Sequence, residues 1–300
     1  MSSVYNSRRQ HLGNQFQTSF VKTQTCKQVK QQSMEVRPKR DRGFIDTKKE
    51  MLWIEWQTLA RHYTDDQLLV GEWFYDIYQK YSEPIRQYHN VEHVYQMILN
   101  MKHFYQELTY PRTVLFAIFF HDYIYDPKSK DNEDQSIKAF ESCARDLELE
   151  DDLVKDVKQM INLTSSGHYT EEHEEEKPRT RDIHYFLDFD LSILGSNHVE
   201  YTLYAKKIRE EYSHVEEEDY CRRRAQVMEK FLKRKYVYCT REFRQFAEEN
   251  ARKNVQNEVE MLRGRAEHLS TCKLKQHTCG KDEFEDKSHS NAKSNLDGQD

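Results

Sequence analysis

The chain has 300 residues and a mass of 36.4 kDa, with 37% hydrophobic and 33% charged residues. That length allows one or two domains, and so polar a chain cannot pack uniformly throughout. With 8 Gly and 5 Pro it lacks the turn formers that an all-β sandwich needs. No Gly-rich phosphate loop or dinucleotide fingerprint occurs.

Charge is unevenly spread. Residues 1–46 hold 9 Lys/Arg against 3 Asp/Glu, and residues 266–300 hold 5 against 7. The whole is −6, which leaves the 219 residues between them at −10. A stretch of that length can bury one sizeable core. Its acidity argues against nucleic acid as a partner, because phosphate backbones need a basic face. No run of about 18 apolar residues is present, so no membrane span is expected. The N-terminus has no apolar signal region. It is Ser/Gln-rich with no acid before Glu35, which leaves a disordered tail or a transit-like segment open. The six cysteines are scattered without a CxxC, which reads as reduced thiols rather than a disulfide frame. A cytoplasmic location is expected, with a mitochondrial one as the alternative.

In chain order, residues 1–46 read as a disordered basic tail without apolar periodicity. From Lys48 a helical pattern begins, with Met51, Leu52, Trp53, Trp56, Leu59 and Ala60 at spacings of three and four. Thr64 to Gln67 has capping-box spacing ahead of Leu68, Leu69, Trp73, Phe74, Ile77 and Tyr78. Pro84 closes that helix, and Asn90 is placed to cap the next. Pro111 suits a first turn and opens Val114–Tyr125, apolar nearly all round and so the predicted central helix. Further helices are predicted at about 133–148, 150–163, 181–194, 198–214, 217–233 and 240–263. Residues 169–180 read as an acidic loop, and residues 266–300 as a second disordered tail. The expected fold is all-α, with one helical domain over residues 47–265.

Three clusters carry candidate chemistry. In Tyr88-His89-Asn90-Val91-Glu92-His93, the two histidines are four apart and project from one side of a helix. Surface histidines are the plain alternative. His121-Asp122 ends the apolar run VLFAIFFHDYIYD. An unpaired carboxylate driven into such an interior costs several kcal/mol, so a metal ion or an Arg must satisfy it. In Phe186–Leu194, Asp188 and Asp190 are embedded among apolar residues and again demand a cation, unless one caps a helix. Two imidazoles and two carboxylates suit Mn²⁺, Fe²⁺, Mg²⁺, Co²⁺ or Ni²⁺ better than a closed thiolate zinc site.

The order His … His-Asp … Asp on a helical domain resembles the HD superfamily of metal-dependent phosphohydrolases, over about residues 50–263. YHNVEH is similar to the YHNxxH signature of cyclic-nucleotide phosphodiesterases. IFFHDYIYDPKSKDNEDQS, FLDFDLSILG and IREEY look like a narrower subgroup of HD hydrolases with no settled substrate. The resemblance implies an HD-type helical bundle and a metal held by His93, His121, Asp122 and Asp190, with one or two ions per chain. Asp190 is preferred to Asp188 because Asp190-Leu191-Ser192 resembles the Asp-Leu-Ser of phosphodiesterases. His89 would protonate the leaving oxygen of a small phosphorylated substrate, a nucleotide among the candidates.

The pattern also departs from its relatives. Nucleotide-cleaving relatives often carry a carboxylate three or four residues after the Asp of the His-Asp pair; here Tyr125 stands at the first place and Asp126 at the second, and Glu133, in the Asp131-Asn132-Glu133 cluster, is the expected replacement. No His follows Asp122 as in phosphodiesterases, which argues against a cyclic-nucleotide pocket. Arg86 is placed to clamp a phosphate or to pair with Asp188, and Asn132 and His168 complete the candidate substrate contacts. His168 could also be an extra metal ligand or a plain loop residue. Arg209, Glu211 and Tyr212 are placed to support the site from an amphipathic helix. Two other functions remain open: an HD-fold di-iron oxygenase, which would recruit His168, His173 or His184, and a non-catalytic helical binding module.

Overall fold

A hydrophobic pattern repeating every three to four residues makes helices, and the computed structural model has nothing else regular among the residues it describes, 47–166 and 178–289. The helices are α1 (Thr47–Ala60), α2 (Gln67–Tyr81), α3 (Val91–His103), α4 (Pro111–Phe120), α5 (Asn132–Asp146), α6 (Asp151–Ser166), α7 (Pro178–Asp190), α8 (His198–Glu211), α9 (Glu217–Lys233), α10 (Arg241–Phe246) and α11 (Glu248–His289). The fold is all-α. Residues 1–46, expected as a basic tail, the acidic stretch from 167 to 177 and residues 290–300 lie outside the described residues.

The centre of the bundle is α4. All eight residues from Thr113 to Phe120 are buried, as its all-round apolar composition requires. Trp56 of α1 is fully buried against it, with its ring 6.1, 5.4 and 6.3 Å from those of Phe116, Phe119 and Phe120. Its indole N–H donates to the Val70 carbonyl at 2.9 Å, so the polar atom of the largest core side chain is satisfied. Helices α3, α6 and α7 pack around α4, while α9 and α11 form a hairpin. That hairpin has a small apolar cluster of its own, Tyr220, Cys221, Ala225, Leu262 and Ala266.

Local chemistry moves several predicted boundaries. Asp66, not Thr64, caps α2, accepting from the Leu68 and Leu69 amides; a carboxylate at the positive end of a helix is the stronger cap. Asn90 caps α3 through the Glu92 amide, as read from sequence. The central helix stops at Phe120 instead of Tyr125. The predicted helix over 181–194 is α-helical to Asp190 and then tightens into a 3₁₀ turn, Leu191–Gly195. The predicted helix over 240–263 divides at Ala247 into a short α10, capped at its start by Thr240, and the long α11. Helix α11 runs on past residue 265, to His289. Ala266 is buried on α9 and Lys273 pairs with Glu216 and Glu218, at 3.3 and 2.8 Å.

Gly195 closes the 3₁₀ turn against the start of α11. A Cβ there would stand 2.7 Å from the Ala247 Cβ, 2.7 Å from the Tyr238 hydroxyl and 2.9 Å from the Ala247 carbonyl. Backbone cannot retreat as a flexible side chain can. Gly195→Ala is expected to destabilise by about 1–3 kcal/mol. Thermal unfolding checks this, with an unchanged Tm as the contrary result.

Candidate metal centre

Three separate elements deliver the candidate ligands. The Asn90 cap starts α3 so that His93, one turn in, faces the core. The end of α4 carries His121 and Asp122, and the end of α7 carries Asp190. His93 and His121 are both buried, at 4% and 1% exposure, while Asp122 and Asp190 keep one edge open to solvent.

Four atoms converge. His93 Nε2 lies 3.1 Å from His121 Nε2 and 3.2 Å from Asp190 Oδ1. His121 Nε2 lies 3.0 Å from Asp122 Oδ2. The two wider pairs, His93 to Asp122 and His121 to Asp190, are each 3.9 Å. His93, His121 and Asp122 form a group able to hold a metal ion, each offering one ligand atom within 4.8 Å of the others. Ligand atoms about 2.1 Å from one ion and at right angles stand about 3 Å apart, so the observed spacings fit a shared ion.

The electrostatics point the same way. His121 Nδ1 lies 3.0 Å from the Ile118 carbonyl and must carry a hydrogen to bond it. Neutral, its Nε2 would aim a lone pair at both the Asp122 carboxylate and the second imidazole. A positive charge has to sit among these atoms. Without a metal it is a proton: burial pushes His121 down, but the Asp122 carboxylate outweighs that and raises it to about 9. Asp122 is held far below the usual carboxylate range, its burial overcome by His121. Burial dominates at His93 and lowers it, which leaves that ring neutral and ready to ligate. Set against family models, curated proteins and solved structures, the chain matches nothing.

His89 lies beside this cluster, its ring 5.8 Å from that of His93. Its Nδ1 meets Glu211 Oε2 at 2.7 Å, and the Tyr125 hydroxyl donates to the same oxygen at 2.7 Å while its ring stacks on His89. Glu211 Oε1 takes the backbone N–H groups of Tyr88 and His89, at 2.7 and 3.0 Å. The carboxylate is therefore saturated with donors. Burial pushes Glu211 up, but His89 and the other donors bring it down to about 2. Burial likewise pushes His89 down, and the bond to Glu211 with the nearby Asp122 charge leaves it raised.

Asp188 and Asp190, two apart, have opposite roles. Asp188 is fully buried and accepts from the Cys239 and Thr240 amides and the Thr240 hydroxyl, at 2.7, 2.7 and 2.6 Å. It is a structural cap and does not pair with Arg86. Asp190 reaches the histidines, and the turn behind it is held by Asn100, whose amide donates to the Ser192 hydroxyl at 2.9 Å.

The candidate substrate residues fare differently. Arg86, read as a phosphate clamp, has its guanidinium committed to backbone carbonyls. The Asn132 side chain braces a turn, bonding both the N–H and the carbonyl of Asp126 at 3.0 and 2.9 Å. Glu133, in the first turn of α5, is half-buried, and burial with the nearby Asp122 charge raises its carboxyl. His168 and His173 lie outside the described residues. Tyr125 has a role that its place in the sequence does not show: its hydroxyl donates to the carboxylate that holds His89.

Proposed function

We propose that the protein is an HD-type, metal-dependent phosphohydrolase acting on a small phosphorylated compound. The observation that carries this reading is the convergence of His93, His121, Asp122 and Asp190: the two imidazole nitrogens are 3.1 Å apart, and each has an oxygen of Asp122 and one of Asp190 at 3.0–3.9 Å. These four would hold a divalent cation, which when bound supplies Lewis acidity and lowers the pKa of water toward about 7. His89 supplies the proton. Its Nδ1–H is tied to Glu211, so Nε2 is the nitrogen left to donate to a leaving oxygen. The bond to Glu211 and the nearby Asp122 charge raise its pKa and so favour the charged ring, the form a general acid must be in before it reacts. Glu133, in the first turn of α5, feels the charges of Asp122 and His121 and would assist on this reading.

The test is the full chain with Mn²⁺ or Co²⁺ against a panel of phosphoesters. Phosphate release from some member is expected. His121→Ala and Asp122→Ala should each reduce it by well over 100-fold, since even outer partners of a metal cost 10–100-fold. Unchanged release would mean that these residues do not carry the reaction. A chain that binds no divalent ion would favour a non-catalytic binding module, and two irons with O₂ uptake would favour a di-iron oxygenase.

A further inference from the structure

We propose that Arg86 is a positioning residue that holds the two halves of the metal centre in register, an assignment that rests on the metal reading above. Helix α4 has no basic residue in its last turn. The carbonyls just beyond its end lack the partners a continuing helix would supply. Arg86, in the loop between α2 and α3, meets them. Its Nη1 donates to the Asp122 carbonyl at 2.6 Å and its Nη2 to the Tyr123 carbonyl at 2.9 Å. The same Nη1 reaches back to the His89 carbonyl at 3.2 Å, and Nε pairs with Glu83 at 3.2 Å.

The side chain has no solvent exposure, and the rings of Tyr81 and Tyr125 lie 5.1 and 5.4 Å from the guanidinium carbon. A guanidinium has five N–H donors in a plane, and four bonds to protein account for nearly all of them. One planar group thus binds the main chain of Asp122 and the main chain just ahead of α3, which carries His93. The 3.1 Å approach of the two imidazoles depends on the relative placement of those segments. A lysine offers three donors from one point and cannot span three carbonyls laid out this way.

The experiment titrates Co²⁺ alone into the full chain, read by calorimetry and by the visible absorption of bound cobalt. Arg86→Lys and Arg86→Gln are expected to weaken Co²⁺ binding by about 10–100-fold and to change the absorption at saturation. The comparator is Asp182→Asn. Asp182, eight residues before Asp190 on α7, is as deeply buried and accepts from the Thr109 and Tyr110 amides at 2.9 and 2.6 Å. Its variant should lower Tm yet bind Co²⁺ within about twofold of wild type with the same spectrum. Should Arg86→Gln fail to fold, Arg86→Lys keeps the charge and carries the test. The proposal is overturned if Arg86→Lys binds Co²⁺ as wild type does. It is also overturned if affinity falls with Tm alike in the Arg86 and Asp182 variants. A wild-type chain that binds no Co²⁺ defeats the metal reading itself, and the two failures are told apart.

Discussion

Glu211→Ala is expected to destabilise the protein by about 3–5 kcal/mol, because it leaves the partner of a buried charge pair without its counter-ion. Four donors converge on that carboxylate: two backbone amides, the His89 ring and the Tyr125 hydroxyl. Its side chain has no solvent exposure, so water cannot replace them. The pair also sets a pH window. Glu211 is depressed from 4.5 to about 2, so its contribution is complete above 4.5 and is lost as pH falls from there to about 2. His89 is raised from 6.5, so its contribution is complete below 6.5 and is lost as pH rises through the folded value. The pair contributes most between about 4.5 and 6.5. In urea melts, wild type should lose stability from pH 4.5 toward 2, and Glu211→Ala should lose less over that interval. A variant with the same acid sensitivity as wild type would show that the pair is not the source. Glu211→Gln tests the chemistry separately. Its carbonyl can still take the backbone amides, but its NH₂ faces two donors, so the His89 proton is no longer held. On the proposed reading kcat should fall by about 10²–10⁴-fold, the worth of general acid catalysis, with metal binding retained.

Trp56→Ala is expected to cost about 3–5 kcal/mol. The indole is the largest fully buried side chain, and three phenylalanines of α4 pack on it. Its loss leaves a cavity beside the central helix and removes the bond its N–H makes to the Val70 carbonyl. Since His121 and Asp122 directly follow α4, a loosened α4 should also weaken divalent-ion binding. Chemical denaturation and a Mn²⁺ titration of one preparation check both effects. A Trp56→Phe variant should recover most of the stability. Full stability in Trp56→Ala would contradict the packing described here.

The amino-acid sequence alone marked most of the helical stretches, and the reason is local. Apolar spacing, Asn90 as a cap and Pro111 in a first turn act within a few residues of themselves. It also marked His93, His121, Asp122 and Asp190 as unusual, because ionisable groups inside apolar runs stand out without any structure. What it could not decide are matters of long-range geometry. Asp188 and Asp190 look alike in sequence, and only the approach of Cys239 and Thr240 makes one a cap and leaves the other for the histidines. Arg86 reads as a phosphate clamp until the carbonyls beyond α4 are found around it. Glu211 lies more than 120 residues from the histidine it holds, and nothing local to either residue reports the bond. The end of α11 is a further case: its pattern is too polar to foretell a helix past 265, but α9 supplies the buried face and the acids that Lys273 meets. Helix formation is settled by neighbours in the chain, whereas the role of a charged side chain is settled by whatever folding brings beside it.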